Sequence, residues 1–189
     1  MTLVFDGSGS GVISIPSTAA LQLSKFSLAV WFKTSKNYTP DPQLGGEGMM
    51  ITKGGWIGNN TGEQLSYGIW VSDANHLRAG FETTTGVDNI LTTSGTTVNN
   101  GQWRHGAITY DQQKLRLYLD GKLFKDMNTN AQPEKNNIPL VIGKNPMNNR
   151  KGYFTGELSD IRVYNKAISD NTISSIYNLS SGLVYSNQS

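Results

Sequence analysis

Short stretches in which apolar and polar positions alternate dominate the sequence. In residues 26–33, the even-numbered positions are all large and apolar: Phe26, Leu28, Val30 and Phe32. Residues 115–119 repeat the pattern with three leucines, and Asp120-Gly121 then supplies a two-residue turn before another apolar run begins. A period of two residues places successive side chains on opposite faces of an extended chain. Both stretches therefore predict β-strands with one buried face, and the turn predicts a hairpin.

Similar alternation recurs along most of the chain and predicts further strands. Together the predicted strands span residues 3–5, 12–15, 26–33, 49–53, 67–71, 77–82, 103–110, 115–119, 122–124, 140–142 and 161–164. Long polar segments separate them and predict loops at 36–48, 54–66, 84–101, 128–137 and 144–152. At least ten short strands with loops between them favour an all-β fold of two packed antiparallel sheets.

One short helix is predicted near the C-terminus. Ser169 is a favourable N-cap residue because its hydroxyl can accept a hydrogen bond from a backbone N–H of the first turn. Ile173, Ile176 and Tyr177 follow at helical spacing and form one apolar stripe. The helix is therefore expected to pack that stripe against the sandwich.

Length and composition bound the class of protein. The chain has 189 residues, which suits one domain, and no change of composition divides it. We predict a single domain over residues 1–189, with its core at about 3–179 and a C-terminal tail at about 180–189. Only 16% of residues are charged, against roughly 25% in typical soluble domains, which excludes a coiled coil or a charged helical bundle. The absence of cysteine excludes disulfides, thiolate metal sites and a cysteine nucleophile.

Charge and hydropathy narrow the choice of partner. The formal net charge is +2 and no stretch carries a run of like charges, so no nucleic-acid partner is predicted. No apolar stretch approaches the roughly 18 residues that a membrane span needs, so no membrane insertion is predicted. The oligomeric state stays open.

Several blocks of sequence, in this order, resemble one known family. The blocks span residues 3–7, 12–16, 26–34, 103–111, 115–122, 142–143 and 154–169. They include Leu-Val-Phe-Asp-Gly at the start, Trp-Arg-His-Gly-Ala-Ile-Thr-Tyr-Asp in the middle and Gly-Glu-Leu-Ser-Asp-Ile-Arg-Val-Tyr near the end. Together they resemble the LamG-like (laminin G-type, concanavalin A-like) jelly-roll domain from about residue 3 to 179.

The resemblance implies a two-sheet jelly roll that serves as an accessory module in secreted or cell-surface proteins. Modules of this family mostly bind carbohydrate or protein and are rarely catalytic, and many hold Ca²⁺ near the first and last strands. The matching positions are Asp6 in the opening block and Asp160 in the closing block. Ser159 stands where family members often carry a second acidic residue, so one anionic ligand of the family pattern is absent.

Calcium would be a structural ion in such a site. Ca²⁺ needs six to eight oxygen ligands. Asp6, Glu157 and Asp160 can supply carboxylate oxygens, and backbone carbonyls around residues 7–11 can add neutral ones. The alternative is that Asp6 closes an Asx turn while Asp160 pairs with Arg162 or faces solvent.

Three loops carry the groups that sugar binding requires. A sugar packs its apolar C–H face on an aromatic ring, while amide and charged side chains bind its hydroxyls. The predicted carbohydrate-binding residues are Tyr38 and Asp41 in one loop, Trp56, Asn59 and Asn60 in the second, and Asn148, Arg150 and Tyr153 in the third. The alternative is that Trp56 covers the edge of the core and the asparagines only form turns.

The remaining tryptophans and the histidines favour structural roles. Trp31, Trp70 and Trp103 lie inside strand patterns and are expected in the core or on a sheet face. His105 lies in the 103–110 strand, where we expect a packed, hydrogen-bonded side chain. The only other histidine lies far away in sequence, so no transition-metal spacing is present.

The sequence contains no recognisable catalytic motif. A glycosidase needs two carboxylates on one face, whereas the odd spacing of Glu157 and Asp160 puts them on opposite faces of an ideal strand. A G-x-S-x-G elbow and a phosphate-binding loop are both absent. Lyase chemistry needs a Tyr or His base, and nothing singles one out. We therefore expect a non-enzyme.

The sequence favours a non-catalytic carbohydrate-binding or adhesion module of a larger secreted or cell-surface protein, with an extracellular or cell-surface location. Its expected partner is a polysaccharide or glycan, bound through aromatic and amide-rich loops. Two alternatives stay open: a protein–protein interaction or spacer domain without a sugar site, and a polysaccharide lyase or glycoside hydrolase on the same fold.

Overall fold

The computed structural model describes residues 1–41, 46–55, 64–147 and 152–185, with side chains as far as Ser181. The strands are β1 Thr2–Asp6, β2 Ile13–Ile15, β3 Phe26–Lys33, β4 Gly48–Lys53, β5 Tyr67–Val71, β6 His76–Glu82, β7 Asp88–Thr97, β8 Arg104–Tyr110, β9 Lys114–Leu119, β10 Lys122–Asn128, β11 Leu140–Ile142 and β12 Thr155–Tyr164. A 3₁₀ turn spans Ala19–Leu21, and the helix α1 spans Asp170–Tyr185.

The strands form two six-stranded antiparallel sheets, as the alternating pattern predicts. The first sheet has the order β1-β12-β3-β8-β9-β10, and the second has the order β2-β11-β4-β5-β6-β7. The first strand of the chain thus pairs with the last, with Asp6 directly opposite Thr155. This pairing brings the beginning of the chain to the loop that precedes β12.

The core lies between the inner faces of the two sheets. The even-numbered apolar residues of β3 are completely buried there, together with Ile69 and Val71 of the second sheet. The hairpin between β9 and β10 is also confirmed, because Asp120 and Gly121 both have positive φ, at 50° and 75°, as a type I′ turn requires. The alternating pattern thus predicts the buried face of β3 correctly, and the turn residues predict the β9–β10 hairpin correctly.

Helix α1 covers the outer face of the first sheet. The hydroxyl of Ser169 accepts a hydrogen bond from the N–H of Thr172 at 3.2 Å, which is the predicted N-cap. Ile173 and Ile176 are buried against Ala29 and its neighbours on the outer face of the sheet. The helix is longer than predicted, since it runs for 16 residues into the segment expected to be a tail.

Strand β7 corrects one loop prediction, because it lies within the segment 84–101. Its buried positions include Asn89, Leu91 and Thr93, which alternate correctly but are mostly polar. Thr93 accepts a hydrogen bond from the N–H of Leu77, so a polar side chain is satisfied inside the sheet. The apolar alternation that identifies the other strands is therefore weak in β7.

Candidate functional site

A cleft of about 370 Å³ opens at the rim of the sandwich, where the end of β1, the segment after β3 and the segment before β12 meet. A cavity of this size lies within the usual range for small-ligand sites, roughly 300–1,000 Å³. Its aromatic and charged lining residues are Asp6, Lys36, Tyr38, Asp41, Glu47 and Tyr153.

Tyr38 forms the wall of this rim cleft. Its ring belongs to the core and is only 4% exposed. Its hydroxyl accepts a hydrogen bond from the N–H of Thr155 at 2.9 Å, and its own N–H donates to Asn75 Oδ1 at 2.8 Å. Burial raises the pKa of the Tyr38 hydroxyl, which keeps the side chain neutral. Tyr38 therefore fixes the segment after β3 and offers a ligand little of its ring face.

Asp6 lies at the mouth of the cleft, where β1 ends. Its Oδ1 accepts hydrogen bonds from the N–H of Ser8 at 2.8 Å and from the Ser8 hydroxyl at 2.6 Å. The hydroxyl bond and then the N–H bond hold the pKa of Asp6 below its ordinary value. Gly7 follows at φ 79°, and a side chain there would collide with Thr155. This Asx turn presents an ionised carboxylate to the cleft.

Tyr153 provides the half-buried aromatic ring of the site. It makes a single parallel bridge to Met49 just before β12. Its ring lies against Gly9, where an added Cβ would come within 2.7 Å of the ring. The close approach of Gly9 therefore holds the Tyr153 ring against the loop that follows β1.

Of the predicted carbohydrate-binding residues, the structure brings Tyr38, Asp41 and Tyr153 together in the cleft. The others, namely Trp56, Asn59, Asn60, Asn148 and Arg150, lie outside the described residues. Lys36 and Glu47 line the same cleft, although the sequence does not single them out. Both lie within the predicted loop 36–48, which also holds Tyr38 and Asp41, so their position in that loop is a signal that could have found them.

The three carboxylates predicted as metal ligands are not brought together. Glu157 forms an ion pair with Lys33 at 3.1 Å, and Asp160 accepts a hydrogen bond from Arg162 Nε at 2.8 Å. Asp160 lies five positions beyond the partner of Asp6 on β12, which is roughly 16 Å along a strand. Among the residues that the structure describes, no group of three acidic or histidine side chains could hold an ion. Asp6, Glu157 and Asp160 thus do not fit one ion, and calcium binding stays a prediction.

A β-bulge changes the expected geometry of Glu157 and Asp160. The register of β12 against β3 shifts between Ser159 and Arg162, and Asp160 has a φ of 48°. Its Oδ2 accepts a hydrogen bond from Ser180 of α1, so it lies on the outer face, where the odd-numbered Glu157 also points. The prediction of opposite faces, which assumes an ideal strand, is therefore wrong. Each carboxylate is nevertheless bonded to a cationic side chain.

The three tryptophans that the structure describes are buried, and so is His105. Trp31, Trp70 and Trp103 are at most 5% exposed, which confirms their structural assignment. His105 is packed as predicted, against the rings of Trp31 and Tyr177. Its predicted hydrogen bonding is wrong, because neither ring nitrogen has a partner in the described part of the chain. Burial lowers the pKa of His105 from 6.5 to about 4.

Two packed antiparallel sheets with a ligand-sized cleft at their rim define a lectin-like jelly roll. The chain belongs to the concanavalin A-like lectin/glucanases superfamily, since its Laminin_G_3 family model matches residues 6–174. The predicted family is thereby confirmed.

One curated relative and several solved structures are similar to the chain. Adhesion G-protein coupled receptor V1 of Danio rerio is 28% identical over 163 residues, which cover 82% of this chain and 2% of the receptor. The chain thus spans a very small part of that relative.

Two of the similar solved structures share the fold. The binding domain of Paraclostridial Mosquitocidal Protein 1 is 18% identical with a TM-score of 0.67, covering 94% of this chain and 42% of that one. A Bacteroides ovatus protein proposed to bind carbohydrate is 15% identical with a TM-score of 0.66, covering 92% of this chain and 45% of that one. At such identities the likeness concerns the fold alone.

Among the described residues, no helix has both the length and the hydrophobicity needed to cross a lipid bilayer.

Proposed function

We propose that the chain is a non-catalytic carbohydrate-binding module of a larger secreted or cell-surface protein, and that glycan binds in the rim cleft. The observation that carries the proposal is the convergence of Tyr153, Asp6 and Asp41 in one cavity of about 370 Å³. These residues come from three separate segments of the chain, yet together they supply the aromatic surface and hydrogen-bonding groups that a sugar needs.

The cleft has a rigid base, which favours binding. Tyr38 is anchored by hydrogen bonds to Thr155 and Asn75, so the wall does not need to be ordered when a ligand enters. Prior ordering reduces the entropic cost of association. Loops on a stiff sandwich commonly carry the binding residues of such folds.

The comparisons support the same proposal. The superfamily is named for lectins as well as for glucanases. The receptor relative is named for adhesion, and the similar structures include a toxin binding domain and a protein proposed to bind carbohydrate. A binding role outside the cell is consistent with each of them.

Replacing the half-buried aromatic ring of Tyr153 tests the proposal. Tyr153→Ala should weaken binding to the glycans identified on an array by at least about ten-fold, because stacking and hydrogen bonding are lost together. Phe124→Ala is the matched control, since Phe124 is a 41% exposed aromatic residue on β10 that does not line the rim cleft. Circular dichroism should show that both variants remain folded.

Three results would contradict the proposal. Binding that survives Tyr153→Ala would move the sugar site elsewhere, and an array without any bound glycan would remove it. Release of new reducing ends or unsaturated products from a polysaccharide would instead support the lyase or hydrolase alternative.

A protein-interaction domain is the second candidate, favoured by apolar side chains at the opposite edge of the first sheet. Leu123 and Phe124 on β10 are 47% and 41% exposed. If this surface carries the function, Phe124→Ser should abolish cell adhesion measured after enzymatic removal of glycans. Tyr153→Ala should then leave that adhesion unchanged.

A further inference from the structure

The segment after β3 carries an N-glycosylation sequon at the rim cleft. Asn37-Tyr38-Thr39 matches the pattern N-x-S/T, and all three residues line the cleft. We propose that Asn37 is an acceptor for an N-linked oligosaccharide, and that this oligosaccharide covers the mouth of the rim cleft. The inference rests on the proposed function in one respect, namely the secreted or cell-surface location of the protein.

A sequon by itself is weak evidence in this chain, because its many Asn, Ser and Thr residues produce the pattern by chance. The sequence contains four sequons, at Asn37, Asn59, Asn178 and Asn187. Those at Asn59 and Asn187 lie outside the described residues. The surroundings of Asn37 and Asn178 therefore decide which sequon carries an argument.

The sequon at Asn37 lies in an irregular and accessible segment. It follows the end of β3 at Lys33, and both Asn37 and Thr39 are exposed. Tyr38 donates its N–H to Asn75 Oδ1 at 2.8 Å, and its carbonyl oxygen accepts from Asn75 Nδ2 at 3.2 Å. The sequon is therefore fixed through its middle residue, while the residues on either side remain open to solvent.

The amide group of Asn37 has its nitrogen available for modification. Its Oδ1 accepts a hydrogen bond from Asn75 Nδ2 at 2.8 Å, while its Nδ2 has no hydrogen-bond partner in the described part of the chain. The amide nitrogen carries two N–H donors, and it is the atom that receives the sugar. A glycan on Nδ2 therefore breaks none of the hydrogen bonds described here and is compatible with the bond to Asn75.

The modification is a group transfer from a lipid carrier. Asn37 Nδ2 attacks the anomeric carbon of an oligosaccharide that is attached to a lipid diphosphate. The new C–N bond forms as the C–O bond to the diphosphate breaks, and the lipid diphosphate leaves with the bonding electrons. The amide nitrogen gives up one proton, and the product is a bulky, hydrated group at position 37.

The position of Asn37 brings such a group to the binding residues. Asn37 lines the same cavity of about 370 Å³ as Asp6 and Tyr153. The first sugar of an attached oligosaccharide would be bonded directly to a lining residue. A second glycan could then not reach the Tyr153 ring without displacing the attached one. Glycosylation at Asn37 therefore lowers the affinity of the cleft for external sugar.

The sequon at Asn178 provides a matched contrast. It lies in α1, where its Ser180 is buried and donates a hydrogen bond to Asp160 Oδ2 at 2.6 Å. Asn178 itself is exposed, but it is not among the described residues that line the rim cleft. A glycan at Asn178 should therefore leave the cleft open.

Production of the same chain with and without glycosylation tests the inference. One sample is secreted from a human cell line behind an added leader peptide, and the other is made in the bacterial cytoplasm, where the sequon stays unmodified. We expect peptide mass spectrometry to find an oligosaccharide on Asn37 of the secreted protein. Hydroxyl-radical labelling of Tyr153 should be several-fold lower in that protein, because the bulky glycan shields the half-buried ring. Affinity for the array glycan that the bacterial protein binds most tightly should fall at least about ten-fold.

Two variants of the secreted protein locate the effect. Asn37→Gln should restore Tyr153 labelling and glycan affinity to the level of the same variant made in bacteria, a comparison that removes any effect of the side chain itself. Asn178→Gln is the matched control and should leave both measurements at the reduced level. Labelling of Phe124, which is 41% exposed and does not line the cleft, should be equal in all samples.

The outcomes separate this inference from the proposed function. An unmodified Asn37 in the secreted protein overturns the inference, and so does a modified Asn37 with unchanged Tyr153 labelling. Recovery of labelling in Asn178→Gln overturns it as well, because the cover would then come from α1. Shielding of Tyr153 with unchanged glycan affinity supports the cover and contradicts the position of the sugar site. A bacterial protein that binds no array glycan contradicts the proposed function, while occupancy of Asn37 and shielding of Tyr153 still decide the inference.

Discussion

His105 shows how a single buried side chain can make stability depend on pH. Its ring lies 5.4 Å from that of Trp31 and 5.9 Å from that of Tyr177, centre to centre. The charged groups that act on it are Asp120, Asp160 and Arg162. Loss of hydration opposes protonation more strongly than the two aspartates favour it, so the pKa falls from 6.5 to about 4.

The pH dependence follows from the direction of that shift. Between pH 6.5 and 4 the unfolded chain binds a proton that the folded chain does not, so the stabilisation is complete above 6.5 and is lost as pH falls towards 4. We expect His105 to contribute a loss of about 2–3 kcal/mol over this interval. Urea unfolding at pH 7.5 and pH 4.5 measures it.

His105→Phe is the control for this prediction. Phenylalanine keeps an aromatic ring beside Trp31 and Tyr177 and cannot be protonated. The variant should lose less stability on acidification than the original chain does. Parallel losses in the two proteins would assign the pH dependence to the carboxylates instead.

At the scale of elements, α1 stabilises the fold from outside the core. It covers the outer face of the first sheet, where Ile173 is fully buried. The described residues that line the rim cleft include none from this helix. Stability and binding should therefore respond independently to substitutions in this helix.

Ile173→Ala tests that independence. The loss of buried volume should lower the free energy of unfolding by about 2–4 kcal/mol, while affinity for the glycan stays unchanged. Leu179→Ala in the same helix is the control, because Leu179 is 78% exposed and should change stability by less than about 0.5 kcal/mol. Chemical denaturation and calorimetric titration measure the two effects separately. A variant that loses affinity while folded would show coupling between helix and cleft.

The elements themselves differ in how far the sequence predicts them. α1 and the β9–β10 hairpin depend on local signals, namely the Ser169 cap and the Asp120-Gly121 turn. β7 lacks such a signal, because the polar residues Asn89 and Thr93 occupy inward positions, where they accept hydrogen bonds from the Thr129 hydroxyl and from the N–H of Leu77 on β6. Asp160 shows a third case, in which a bulge moves a side chain that ideal alternation places on the other face.

At the scale of the whole molecule, the cleft depends on contacts between distant parts of the chain. Loop composition predicts Tyr38, Asp41 and Tyr153 as site residues, and the structure groups them. Asp6 joins them only because β1 pairs with β12, which sets Asp6 opposite Thr155. No spacing in the sequence reveals a pairing across so many residues, so the cleft as a unit could not be predicted.

Bound ligand should therefore protect the rim and leave distant elements unaffected. At a concentration about 100 times the dissociation constant, a glycan should stabilise the bound state by about 2.7 kcal/mol. Hydrogen exchange by mass spectrometry should show slower exchange in β1, residues 36–41 and the start of β12. The backbone amides of β7 should exchange through local opening at the same rate with and without glycan. Protection concentrated in β7 would contradict the position of the site.

The anchoring of Tyr38 also makes the binding specificity open to redesign. Its hydroxyl is held by a backbone N–H, that of Thr155, and its own N–H is held by Asn75, which lies outside the cleft lining. Neither bond requires a particular side chain at positions 36, 39 or 41. Libraries varied at those three positions can therefore explore new sugars while every clone retains the same supporting wall.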